Sequence, residues 1–99
     1  MRFYISDPQR QKNVPFYLRQ VGYRQEVKRS GVVSYIRSVS GSDFPRFHIY
    51  VDETSDGWSV NLHLDQKEPS YQGTSAHGGE YEGKLVEEEM GRLKQVFSN

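Results

Sequence analysis

A chain of 99 residues and 11.5 kDa supports one domain, 1–99, around one modest core, with roughly 60–65% of its unfolded surface buried. The absence of cysteine excludes disulfides, thiolate zinc sites and cysteine nucleophiles, and no apolar run approaches membrane-spanning length. The 13 basic and 13 acidic residues cancel only in sum: Met1–His48 holds nine basic against three acidic residues, about +6, and Ile49–Asn99 four against ten, about −6.

Met1–Ser6 lacks the apolar stretch of a signal peptide, so a cytoplasmic protein is expected. Asp7–Asn13 has no periodicity and reads as a mobile segment. Asn13-Val14-Pro15 has the form of a helix start, with Asn13 as cap and Pro15 in the first turn, followed by Phe16–Val21 and ended by Gly22. Val32–Val39, rich in branched and aromatic residues, reads as a strand broken by Gly41-Ser42-Asp43 and Pro45. Arg46–Asp52 then alternates, with Phe47, Ile49 and Val51 on one face and Arg46, His48, Tyr50 and Asp52 on the other. Trp58–Asp65 alternates likewise, setting Trp58, Val60, Leu62 and Leu64 against Ser59, Asn61, His63 and Asp65. A four-residue turn, Thr54–Gly57, joins them, with Gly57 free to take a positive φ. If Glu53 faces Trp58, then His48 faces His63 and one side of the hairpin is wholly apolar; a one-residue slip mixes the faces. Gln66–Gly83 is a long aperiodic loop. Lys84–Phe97 closes the chain as an amphipathic helix with Val86, Met90, Leu93 and Phe97 along one face, and the Glu87–Glu89 run supplies favourable charge in its opening turn. The expected fold is α+β in two layers: a helix, a three-stranded antiparallel sheet, and a C-terminal helix packed on one sheet face.

Directly opposed side chains have Cβ atoms about 4.5–5.5 Å apart, so the two imidazoles are expected to be close neighbours. Two chemistries follow from their shared face. In the first, His48 and His63 act as general base and acid on an RNA phosphodiester, with no metal. Arg46, Arg37 and Lys67 would hold phosphate, and Tyr50 and Asn61 would complete the binding surface. Basic residues interleaved with Tyr4, Phe16, Tyr17, Tyr23 and Tyr35 in the first half suit an RNA or other phosphate-containing partner. The alternative for that charge is self-complementation between the basic and acidic halves. In the second chemistry, His48, His63 and His77 with Asp65, or with Glu80, ligate a divalent transition metal such as zinc. The simpler alternative to both is a hydrogen-bonded ladder of the two histidines with Tyr50 and Asn61. A third function is a non-catalytic interaction module, forming a homodimer through the acidic helix or an uncovered sheet edge.

Pro45-Arg46-Phe47-His48-Ile49-Tyr50, Asn61-Leu62-His63-Leu64-Asp65-Gln66-Lys67 and Ala76-His77-Gly78-Gly79-Glu80-Tyr81 are similar to segments of a small bacterial family of no assigned function, which implies no activity. The order of elements resembles double-stranded-RNA-binding folds. Together with Leu18 to Gly22-Tyr23 and the strand bearing His63, it also resembles the HicA-type mRNA interferase toxins, which implies an RNA-directed role. That family's catalytic histidine follows a glycine and serine before its second strand. Here Gly31 is followed by Val32 and Val33, so His48 would act from a different place.

Overall fold

The computed structural model describes residues 1–66, 79–80 (backbone) and 83–98. In chain order the elements are β1 (Arg2–Ser6), α1 (Val14–Gln20), β2 (Arg24–Val27), β3 (Val33–Ser38), β4 (Arg46–Thr54), β5 (Gly57–Asp65), β6 (Gly79–Glu80) and α2 (Lys84–Phe97). The long strands form one antiparallel sheet in the order β1-β5-β4-β3-β2, and the two-residue β6 also pairs with β5, at Leu64 and Asp65.

The expected three-stranded sheet is therefore corrected to five long strands; the class, α+β, stands. Of the strands missing from the sequence reading, β6 falls inside the expected loop Gln66–Gly83, and the two long ones, β1 and β2, lie at the sheet edges. β1 alternates Phe3 and Ile5 inward with Arg2, Tyr4 and Ser6 outward, but only five residues carry the pattern. β2, Arg24-Gln25-Glu26-Val27, has no buried residue, so no hydrophobic alternation could reveal it. Its ladder to β3 holds it instead, with Arg24 opposite Ile36 and Glu26 opposite Ser34.

The central hairpin has Glu53 opposite Trp58, Ile49 opposite Leu62 and His48 opposite His63. The turn is tighter than expected, since Thr54 and Gly57 are themselves paired and only Ser55 and Asp56 protrude. Gly57 has no positive φ. It is required for a different reason: a Cβ there would lie 1.9 Å from the carbonyl oxygen of Ile5, so β1 reaches β5 only because that side chain is absent.

Phe3, Ile5, Phe47, Ile49, Val60, Leu62 and Leu64 from the sheet meet Val14 and Leu18 of α1 and Val86, Met90, Leu93 and Phe97 of α2 in one core. Both helices thus cover the same face, and fully burying a Leu or Ile there contributes roughly 1.5–3 kcal/mol. The Asn13 side chain accepts the Phe16 N–H at 3.1 Å, capping α1 as its sequence predicts. Within Asp7–Asn13, the buried Asp7 carboxylate accepts the backbone N–H groups of Gln11 and Lys12, at 2.8 and 2.9 Å, and the Trp58 indole N–H at 3.3 Å. Arg10 donates to the Thr54 carbonyl at 2.7 Å, tying this segment to the hairpin tip.

Glu89 sits in the same core layer. It is 5% exposed, and it accepts the Tyr23 hydroxyl at 2.5 Å and the Arg92 guanidinium at 2.7 and 2.8 Å, with Arg37 at 3.6 Å. This clasp joins α2 to the start of β2 and to β3. Burial and the neighbouring carboxylate push the Tyr23 hydroxyl up, so it remains a donor. Among the described residues no helix is long and apolar enough to cross a membrane.

Candidate functional site

The sheet face opposite the helices carries Glu26 from β2, Ser34 and Ile36 from β3, Arg46, His48 and Tyr50 from β4, and Asn61, His63 and Asp65 from β5. Period-two alternation puts them together: every residue whose neighbours are core must itself point the other way. His48 and His63 stand as a cross-strand pair with ring centroids 5.0 Å apart, and Tyr50 stacks on His48 at 4.7 Å and 24°.

Asp65 organises the pair. His48 Nδ1 lies 3.0 Å from its Oδ2, and His63 Nε2 lies 3.2 Å from its Oδ1. An ionised carboxylate only accepts, so both facing nitrogens carry protons when no other cation is bound. The second nitrogen of His48, Nε2, lies 2.8 Å from the fully buried Ser34 hydroxyl and, in the neutral ring, accepts from it. Burial raises the Asp65 pKa, but hydrogen bonds from His48 and His63 outweigh it and hold the carboxyl well below the usual carboxylate range.

Around this triad, Arg46 places its Nε 3.5 Å from Asp65 Oδ2 and its Nη1 3.9 Å from Glu26, too far for well-formed hydrogen bonds. That Nε is buried and has no hydrogen-bond partner among the described residues, and the guanidinium lies over the Phe44 ring at 4.5 Å.

His48, His63, Asp65, Arg46 and Tyr50 are thus brought together. Asn61 is the register partner of Tyr50 on the same face. Arg37 is not with them: it projects to the helical side, beside Glu89. Lys67 and His77 lie outside the described residues, as do Tyr71, Tyr81 and the Glu80 side chain. The face is also drier than a solvated hairpin surface, with His48 only 4% exposed. Sequence reasoning missed Ser34 and Glu26. Ser34 was findable, because it shares parity with Ile36, but only after β3 had been registered on β4; Glu26 required β2.

One ligand atom from each of His48, His63 and Asp65 lies within 4.8 Å of the other two, so the group can hold a metal ion. Comparison with protein-family models, curated proteins and solved structures returns no match.

Proposed function

We propose that this protein binds a divalent transition metal, zinc being the best fit, through His48, His63 and Asp65. The observation that carries the reading is the spacing of the donors. One donor atom from each of the three residues lies within 4.8 Å of the other two, with the imidazole nitrogens 3.0 and 3.2 Å from the two carboxylate oxygens, Oδ2 and Oδ1 respectively, so a small shift of the side chains would bring an imidazole, an imidazole and a carboxylate to bear on one cation. A cation would replace the two protons now lying between the rings and the carboxylate. His48 would then carry its proton on Nε2 and donate it to Ser34 Oγ. A hydroxyl both donates and accepts, so the buried contact survives the exchange. Asp65 is held ionised, as a ligand must be. Three protein ligands with further positions left to water or substrate is the arrangement of zinc sites that act as Lewis acids or activate water.

The competing reading, with His48 and His63 as general base and acid on RNA, asks more of the same atoms. His48 would have to exchange a proton with substrate while almost fully buried and bonded at both nitrogens. Metal binding asks only for a substitution inside the existing network.

Arg46 opposes the metal, since it puts a positive charge beside the same carboxylate. The test is therefore two-sided. Chelator-treated protein is titrated with zinc by calorimetry and with cobalt by absorption spectroscopy. One equivalent should bind, Asp65→Asn and His63→Ala should each weaken it by ~10-fold or more, and Arg46→Gln should tighten it. Absence of binding, or binding indifferent to Asp65→Asn and His63→Ala, would overturn the assignment.

A further inference from the structure

At the end of the sheet nearest Asp65 lies a second polar feature, a depression of about 130 Å³ between β2, β3 and the turn leading into β4. Its floor is the buried Ile36, and Arg24, Ser38, Ser42, Asp43 and Arg46 line it. At ~30 Å³ per water it has room for about four waters, enough for a small hydrated oxyanion.

The rim is held in shape by its own hydrogen bonds. The Ser38 hydroxyl donates to the Ser42 carbonyl at 2.6 Å and accepts the Gly41 N–H at 2.7 Å, while the Ser42 hydroxyl donates to the Phe44 carbonyl at 3.2 Å. Gly41 makes this turn with a φ of 92°, a conformation favouring glycine. Phe44 in turn supports the Arg46 guanidinium. The two cations have donor capacity left over. Arg46 meets Asp65 and Glu26 only at 3.5 and 3.9 Å, so among the described residues its guanidinium makes no hydrogen bond of full strength. Arg24 is exposed and has no ion pair among the described residues.

We infer that this depression is a phosphate-binding site, with Arg24 and Arg46 as its cationic arms. Guanidinium groups present forked donors that match phosphate oxygens in pairs, which the compact ammonium of lysine does not. The paired carboxylates of Glu26 and Asp65 orient Arg46 without saturating it, and Asp43 at the exposed rim limits affinity by repelling the anion. The site does not rest on the metal reading, although Arg46 is common to both: Ser38, Arg46 and Asp65 are consecutive cross-strand partners. A phosphate held here would therefore lie beside the imidazole pair.

The test uses the full chain in the presence of chelator, followed by amide chemical shifts. It is titrated separately with inorganic phosphate, a nucleoside monophosphate and a short single-stranded oligoribonucleotide. Saturable shifts at residues 38–46 with at least one probe are expected, and the tightest binder identifies whether the phosphate comes free, on a nucleotide or in a strand. Arg24→Ala, an exposed change, should weaken binding ~10-fold. Asp43→Asn should tighten it by about 2- to 3-fold. No saturable binding of any probe at millimolar concentration, or binding unmoved by both substitutions, would overturn the inference. With chelator present, a negative result here leaves metal binding standing, and failed metal binding leaves this site standing.

Discussion

Two carboxylates gather hydrogen-bond donors on opposite sides of the sheet, and they do different things. Glu89 draws in Arg92, Arg37 and the Tyr23 hydroxyl; Asp65 draws in His48, His63 and Arg46. Around Glu89 no donor readily gives up its proton: burial and Glu89 push the tyrosine up, and hydrogen bonding to Glu89 pushes Arg92 up. Around Asp65 two of the donors are imidazoles, whose ring proton can sit on either nitrogen, so the nitrogen facing the carboxylate can present a hydrogen or a lone pair. The two clusters therefore differ in whether a donor can exchange its proton for a lone pair: none around Glu89 can, and both rings around Asp65 can.

This contrast can be broken at either end. The largest effect is expected at the clasp. Glu89→Ala leaves Tyr23 and two arginines without their common acceptor. It should cost about 3 kcal/mol in chemical denaturation, at the low end for a buried pair because the arginines are each about a third exposed. A loss below ~1 kcal/mol would show that Glu89 is not the fastening.

A smaller effect is expected from acid at the site. Asp65 has a folded pKa below its ordinary 3.8, so its contribution to stability is complete above that value and is lost as pH falls through and beneath it. The wild-type protein should lose stability more steeply than Asp65→Asn as the pH is lowered below about 4. Asp7 is lowered as well: burial raises it, but the N–H groups of Lys12 and Gln11 and the Trp58 indole overcome that, so the variant's slope shrinks without vanishing. Identical slopes in the two proteins would remove Asp65 as the keystone of the imidazole pair.

Smallest of all, Ser34→Ala should cost ~1 kcal/mol, because His48 Nε2 loses its buried partner. It should also weaken zinc binding by reducing control of the ring. A stability loss with unchanged zinc affinity would place Ser34 in the fold alone.

Legibility in the sequence followed the strength of the periodic signal. The two alternating segments, Arg46–Asp52 and Trp58–Asp65, each have one apolar side, and burying both sides together admits only the register that puts His48 opposite His63. The closing helix, Lys84–Phe97, was equally plain, and the Asn13 cap and terminating Gly22 marked α1. Where burial did not alternate, the signal failed: β2 exists through hydrogen bonds to β3, which no local pattern announces. Glu89 reads locally as helix-terminal charge, because only the approach of Tyr23 and Arg37 from other elements makes it a buried acceptor.

The sequence by itself determined the α+β class, the central hairpin and the nearness of two imidazoles, because side-chain alternation and hydrophobic burial are local consequences of residue order. Only the tertiary structure decided that Asp65 lies between the rings, that Ser34 backs one of them, that Arg37 belongs to the other face and that five long strands make the sheet. Those contacts join elements distant along the chain, and their geometry depends on strand order and on which side the helices cover.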